Sequence, residues 1–301
     1  MKISIGKLCI GEGEPPLLIG SVFYRGDKCV KDYERSEVDW LCVENALSEA
    51  LDACDRYGVN LAIDLVVENE AMIREAFPKA LDVFKDLAIF IDAPSRDLRV
   101  KLYSFAKELG ASKRCVASGL TIEDVAELDV VKENGLGGVL VLVYDPKDSS
   151  SIISIDKRLA IARLLVNECR CRGLEPLLDI IVMDPSSIAI SSRAMELIKR
   201  ELDAVVGCAP SNALGFLVRS KHGDMAVAIQ CAVSAYLRMK GADFVMYGPL
   251  RRAKFIAPAI AVVDVLERYA ADSRSARKAL TWRTMKMLQQ IYLSSSRGES
   301  A

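Results

Sequence analysis

The chain has 301 residues and a single histidine, His222. One imidazole cannot build a histidine-rich metal centre. A Ser-His-Asp triad also lacks support, because His222 stands in the polar run Arg219-Ser220-Lys221-His222-Gly223 and is expected to be solvated. Aromatic residues are sparse, at 6%. The aliphatic and small residues that dominate instead are the usual material of a buried parallel sheet wrapped by helices. Neither sign of charge is in excess: 40 basic residues face 41 acidic ones, for a net charge of −1. That balance removes the electrostatic basis for a nucleic-acid partner. No apolar run reaches the roughly 18 residues of a membrane span, and no signal peptide opens the chain. A cytoplasmic protein is expected, with any membrane association made through partners. Nine cysteines occur, but without the spacing of a disulfide framework or a zinc site. Cys169-x-Cys171 is a close pair in a helical, Arg-rich stretch, and the thiols are expected to be reduced core residues.

What is present is alternation. Short apolar runs at Leu17–Phe23, Leu61–Val66, Leu87–Asp92, Arg114–Ala117, Gly138–Val143, Pro176–Val182, Ala204–Gly207 and Phe244–Tyr247 predict strands. Amphipathic stretches such as Glu37–Tyr57, Asp97–Leu109, Ile152–Arg172, Asp224–Met239 and Arg251–Tyr269 predict helices between them. Many helices stop at a glycine (Gly58, Gly110, Gly173, Gly241), so the helix-to-strand connections are short. Unusual residues gather instead in the strand-to-helix connections, as at Asp145-Pro146, Asp184-Pro185 and Gly248-Pro249. About eight such units predict a closed (β/α)8 TIM barrel over residues 1–293, with its site at the C-terminal strand ends. An open doubly wound sheet is disfavoured, because no G-x-G-x-x-G follows the first strand, and Gly11-Glu12-Gly13 reads as a turn. Arg274–Leu293 predicts an extra C-terminal helix that packs under the barrel or at a subunit interface, and Ser294–Ala301 a disordered tail.

The segment Val206-Gly207-Cys208-Ala209-Pro210-Ser211-Asn212-Ala213 is the most informative. It turns over the end of a strand and carries an amide with both a donor and an acceptor, which can meet a ring nitrogen in either protonation state. Asp64, Asp92, Asp145, Asp179 and Asp184 fall at or near strand ends. Asp64 and Asp179 lie inside apolar runs, where a carboxylate without a partner is expensive to bury. They either accept N–H groups of a ligand at the barrel mouth or hold loop backbone and a buried arginine. Asp184 and Ser95 read as helix caps. Gly207 and Gly248 close the last two strands, where barrels place phosphate sites, but no Gly-rich cluster follows either, and tight turning explains them better. Lys147 and Lys221 stand in loops rather than strands, so a Schiff-base aldolase lacks its lysine.

At these loops the sequence resembles the family formed by the H subunit of tetrahydromethanopterin S-methyltransferase, within the barrel methyltransferases that bind reduced pterins. The segments that carry the likeness are 18–28 (LIGSVFYRGDK), 90–95 (FIDAPS), 178–188 (LDIIVMDPSSI), 206–213 (VGCAPSNA) and 241–250 (GADFVMYGPL). The resemblance implies a (β/α)8 barrel, commonly a homodimer, that moves a methyl group from N5 of methyl-tetrahydromethanopterin or a related reduced folate to Co(I) of a corrinoid on a separate corrinoid protein. It implies no tightly bound cofactor and no metal of the chain's own. By motif position it places Asn212 near N5, Asp179 and Asp64 on the pterin ring, and Asp92 at the end of the third strand, with Ser21 and Gly207 in the binding surface. Asn212 and Asp179 are the expected catalytic pair. Association with a membrane methyltransferase complex through other subunits is a further expectation about partners. The alternative functions are a non-catalytic pterin-binding or assembly role and, less favoured, a phosphosugar aldolase or isomerase. Three positions depart from the family pattern: Ala117-Ser118 after the fourth strand, Ile180 after Asp179, and Ser211 before Asn212.

Overall fold

The computed structural model describes residues 1–219 and 223–296. Eight parallel strands close into a barrel in chain order. They are β1 (Leu17–Val22), β2 (Asn60–Val66), β3 (Ile89–Asp92), β4 (Cys115–Leu120), β5 (Gly138–Leu142), β6 (Pro176–Asp179), β7 (Val205–Cys208) and β8 (Phe244–Pro249). Around them lie α1 (Trp40–Tyr57), α2 (Glu70–Val83), α3 (Arg96–Glu108), α4 (Glu127–Glu133), α5 (Ile155–Cys171), α6 (Ser187–Leu202), α7 (Pro210–Arg219), α8 (Gly223–Met239) and α9 (Ala253–Ala271). The short α10 (Ser273–Ala276) and then α11 (Trp282–Ser296) end the described chain. The expected (β/α)8 architecture is therefore present. Lys221 and His222 lie outside the described residues.

The period of two along each strand separates two cores. Leu17, Ile19, Ala62, Phe90, Val116, Leu140, Leu177, Val205 and Phe244 fill the barrel interior. Their neighbours Leu18, Ile63, Leu65, Ile89, Ile91, Val139, Val141, Leu178 and Val206 face outward and pack under the helices. An antiparallel hairpin of Lys2–Ile5 and Leu8–Gly11, ahead of β1, seals the interior. Its Ile3, Ile5 and Ile10 join the interior core, so the N-terminal end of the barrel is plugged by apolar side chains and the other end is left for polar ones.

Helix ends follow local chemistry. The Asp39 carboxylate accepts from the Cys42 N–H, so α1 starts at Trp40 rather than at the expected Glu37. Glu37–Val38 pairs instead with Val30–Asp32 as a small antiparallel ribbon at the rim. Gly58 ends α1 in the left-handed conformation at φ 71°. Ser95 caps α3 as expected, and Asp184 accepts from the Ser187 N–H at 2.7 Å where α6 begins. The C-terminal helix α11 packs on α9 and α1. Arg283 and Thr284 donate to the carbonyls of Asp55 and Tyr57 at the end of α1. Helix α11 continues to Ser296, into the stretch expected to be a tail; residues 297–301 lie outside the described residues.

One expectation fails outright. Cys29 and Cys42 form a disulfide, with 5.4 Å between Cα atoms, so these two thiols are not reduced core residues. Their thirteen-residue separation matches no framework pattern. The pairing arises because the rim ribbon folds the loop after β1 back onto the first turn of α1. The remaining seven cysteines are free, most of them buried.

Candidate active site

Inward-facing positions along the barrel are apolar in the lower layers and change character in the last one. In β1 the series runs Leu17, Ile19, Ser21; in β2, Ala62 then Asp64; in β3, Phe90 then Asp92; in β6, Leu177 then Asp179; in β7, Val205 then Gly207. Polar side chains thus meet at the C-terminal ends of the strands, where the helices leave the barrel mouth uncovered.

A cavity of about 970 Å³ opens over the first three strands. Ser21, Asp64 and Asp92 line its floor, and Ser211, Asn212 and Gly215 of α7 form one side. The loop after β1 contributes Tyr24, Arg25, Gly26, Asp27, Lys28 and Cys29, and the end of β8 contributes Gly248, Pro249, Leu250, Arg251 and Arg252. Val66 and Glu68 complete the wall after β2.

Asp64 is 5% exposed. Its Oδ2 accepts from the Ser21 hydroxyl at 2.7 Å, while Oδ1 is buried with no hydrogen-bond partner. Burial, reinforced by the neighbouring carboxylate of Asp92, pushes the Asp64 carboxyl up to about 8. Burial raises Asp92 too, against the pull of the Arg99 guanidinium and the Ala93 N–H. Arg99 is held in place by a two-pronged pair with buried Glu127, at 2.8 and 2.7 Å. The floor is therefore an acceptor-rich surface on which Asp64 holds its proton at neutral pH and Asp92 is shifted in the same direction.

Phe23 adopts φ 64°, a conformation rare for a non-glycine residue. The turn it makes is held by Asp27, whose carboxylate accepts from the Phe23 and Cys29 N–H groups at 2.8 and 3.1 Å. Tyr33 adds a second brace: its hydroxyl accepts from the Gly26 and Asp27 N–H groups. These bonds aim Tyr24 and Arg25 at the cavity.

Of the residues singled out from sequence, Ser21, Asp64, Asp92 and Asn212 share this one cavity. Asn212 lies in the first turn of α7 rather than in a loop, with its side chain exposed. Asp179 and Gly207 are adjacent in register on the opposite side of the barrel and are not among the lining residues. Asp179 is 3% exposed and accepts from the Ile181 N–H at 2.9 Å; burial pushes its carboxyl up to about 7, against the nearby Arg158. Arg158, also buried, donates to the Ile180, Ile181 and Ile152 carbonyls and so ties down the segment that follows β6. Gly207 is required by crowding, since a Cβ there would collide with the Phe244 carbonyl and ring. Gly248 differs: at φ 83° it turns the chain at a bulge of β8 and faces Ser211 across the cavity wall.

Residues 2–277 match the family described as Tetrahydromethanopterin S-methyltransferase MtrH subunit. The chain belongs to this family. Among its relatives is the H subunit of tetrahydromethanopterin S-methyltransferase from Methanothermobacter thermautotrophicus, 26% identical over 277 residues, covering 85% of this chain and 86% of the relative. The corresponding protein of Methanopyrus kandleri is 25% identical over 282 residues, covering 84% and 85%. Among solved structures, the barrel resembles Yersinia pestis dihydropteroate synthase in complex with a pterine-sulfa conjugate. The TM-score is 0.62 at 14% identity, over 89% of this chain and 98% of that one. At that identity what is shared is the fold.

This MtrH-family methyltransferase also carries site residues that its sequence pattern hides. Arg251 and Arg252 read as the opening of a helix, yet they line the cavity from the short 3-10 turn between β8 and α9. Their position directly after Gly248-Pro249, at the end of the last strand, is the signal that marks them. Among the described residues no group of three or more His, Cys, Asp or Glu is arranged to hold a metal ion, and no helix is long and apolar enough to cross a membrane.

Proposed function

We propose that this chain moves a methyl group from N5 of a methylated reduced pterin, methyl-tetrahydromethanopterin or methyl-tetrahydrofolate, to Co(I) of a corrinoid carried by a partner protein. The observation that carries the reading is the buried, unpartnered Oδ1 of Asp64, a residue that lines the cavity at the mouth of a barrel of this family. A buried acceptor with no donor is destabilising unless a ligand supplies one. The N–H-rich edge of a pterin supplies several, to Asp64 and Asp92 together, with Ser21 orienting Asp64. Asp179, in the same inward layer but across the barrel and outside the cavity lining, is the proposed second anchoring and catalytic carboxylate, and the ring meets it only by extending over the barrel mouth past Gly207.

With the ring on the floor, N5 falls to Asn212 at the rim. A methyl group on a neutral tertiary amine leaves poorly. With N5 protonated from solvent, its N–H donates to the Asn212 amide oxygen. As Co(I) attacks the methyl carbon, the N5–CH3 electron pair returns to nitrogen and leaves a neutral N5–H, whose new lone pair accepts from the Asn212 amide N–H once that side chain turns. The corrinoid is a second substrate that must approach in line from the open side. The corrinoid protein is therefore expected to cover the barrel mouth, in a homodimeric assembly that associates with a membrane complex only through its other subunits.

The test is direct. Mixing the protein with methyl-tetrahydropterin and a reduced corrinoid protein is expected to discharge the Co(I) absorbance; a stable Co(I) spectrum with bound pterin would leave a pterin-binding protein without turnover. Asn212→Ala is expected to slow the transfer about tenfold or more at saturating substrates, since a charge-assisted hydrogen bond contributes roughly 1.5–3 kcal/mol. Asp179→Asn is expected to weaken pterin binding in calorimetry.

A further inference from the structure

The cavity is acidic below and basic above, and the basic part is not neutralised from within. Arg25 faces Glu68 at 3.2 Å. The Asp27 carboxylate is occupied by backbone N–H groups. Arg251 and Arg252 are different. Arg251 Nη2 lies against the sulfurs of Cys29 and Cys42, neither of which offsets a charge. Arg252 Nη1 donates to Gln230 Oε1 at 2.5 Å. Gln230 is 2% exposed and is itself pinned through its own Nε2, which donates to the Tyr247 carbonyl at 2.5 Å.

That arrangement is specific. A glutamate at position 230 would orient the guanidinium equally well and cancel its charge; a glutamine orients it and leaves the charge free. Arg252 is half-buried, and desolvation pulls its pKa down, opposed by Tyr24 and Cys231. Among the described residues no carboxylate pairs with Arg251 or Arg252. Arg252, fixed by Gln230, and Arg251, exposed beside the disulfide, both line the water-accessible cavity, and a guanidinium without a carboxylate partner is a ready contact for an oxyanion. The volume of about 970 Å³ lies at the upper end of the range for small-molecule sites, so the cavity holds more than a ring.

We infer that Arg251 and Arg252 form a subsite for an anionic group, carboxylate or phosphate, carried on the substrate's tail beyond the ring that rests on Asp64 and Asp92. This rests on the pterin reading and adds to it the two side chains that meet the anionic end of the tail. The Cys29–Cys42 disulfide then has a definite neighbour, because it backs the Arg251 side chain.

Calorimetric titration with three probes tests it. A tailless 6-methyl-tetrahydropterin reports the ring alone, tetrahydrofolate adds carboxylates, and tetrahydromethanopterin adds carboxylates and a phosphate. Arg252→Gln and Arg251→Gln are each expected to lower affinity for a tailed probe about tenfold, and to leave the tailless probe unchanged. Added salt should weaken only the tailed probes. The probe that loses more identifies the oxyanion the subsite takes. Equal losses on tailless and tailed probes would make the arginines structural, and no loss on any tailed probe would leave the wall without this role; either result overturns the subsite. Arg252→Lys, which keeps the charge, should recover part of the affinity if Arg252→Gln proves poorly folded. Failure of the wild-type protein to bind the tailless probe would instead count against the pterin floor, which separates the two claims.

Discussion

Burying one carboxylate oxygen without a donor costs about 1–3 kcal/mol, and more if the group is charged. Asp64 reduces that cost by holding its proton, which is why its carboxyl rises from an ordinary value near 3.8 to about 8. A ligand that donates N–H groups is bound more tightly by the ionised form, which accepts on both oxygens. Its affinity should therefore climb as pH rises from 6 toward 8 and level off above, provided the ligand does not titrate in that interval. Asp64→Asn has no proton to lose. Calorimetry across this range is expected to show about a tenfold or larger loss of affinity for the variant at pH 8, where the charged contact is complete, and a shallower profile below, with only Asp92 left to titrate. A wild-type profile that is already flat would mean that the carboxyl is ionised at neutral pH or does not touch the ligand. Asp92 shares the floor, so the observed transition belongs to the two carboxyls jointly.

Among the elements, the eight strands were legible because buried parallel strands are nearly continuous apolar runs bounded by glycines and capping residues. Two elements were not read. The N-terminal hairpin carries an apolar alternation at Ile3 and Ile5 and a turn at Gly6, but its strands are only four residues each and polar between. The rim ribbon of Val30–Asp32 and Glu37–Val38 is shorter still, and its pairing is tertiary. With the ribbon came the Cys29–Cys42 disulfide, which spacing alone could not suggest. Thiol titration of the unfolded, unreduced protein is expected to count seven cysteines, rising to nine after a dithiol reductant. Nine at the outset would remove the disulfide. The hairpin is more than a terminal appendage, because Ile5 is fully buried against Gly137 and Gly138 at the foot of β5. Ile5→Ala should destabilise the barrel by about 2–5 kcal/mol in chemical denaturation, the range for an isoleucine cut out of a packed core. A loss well below 1 kcal/mol would show that the plug is not part of the cooperative unit. The site was half legible for a related reason. Strand parity places Ser21, Asp64, Asp92 and Asp179 in one inward layer, but parity says nothing of which wall a cavity opens on. Arg158 ties down the chain after β6 beside Asp179 through the Ile180 and Ile181 carbonyls, while the loop after β1 lines a cavity together with Asp64 and Asp92.

At the scale of the whole molecule, the two ends of the barrel make opposite demands on pH. Asp64, Asp92 and Asp179 all have carboxyls raised by burial at the C-terminal end. Between the ordinary carboxylate range and their raised values, the folded protein holds protons that the unfolded chain has released. The stability these groups contribute is thus complete at low pH and is lost as pH climbs through neutrality. Asp264 behaves in the reverse sense. It is buried in α9, paired with Arg238 at 2.5 Å and Arg268 at 2.7 Å, and accepts from Thr281 at 2.7 Å; its carboxyl is held below the usual range by these partners, against its own burial. Its contribution is complete at neutral pH and is lost on acidification. The two trends cross in mildly acidic solution, where the ligand-free protein should be most stable, with a melting temperature a few degrees above that at pH 8.5. Asp64→Asn should make the alkaline limb shallower, because it removes one of three groups whose ionisation the fold resists, and should leave the acid limb in place. Asp264→Asn should do the converse at a large cost in overall stability, since it strands two arginines. If wild-type stability instead rises steadily from pH 5.5 to pH 8.5, the carboxylates at the mouth are already satisfied without a ligand. The cavity would then lose the feature that marks it as a binding site.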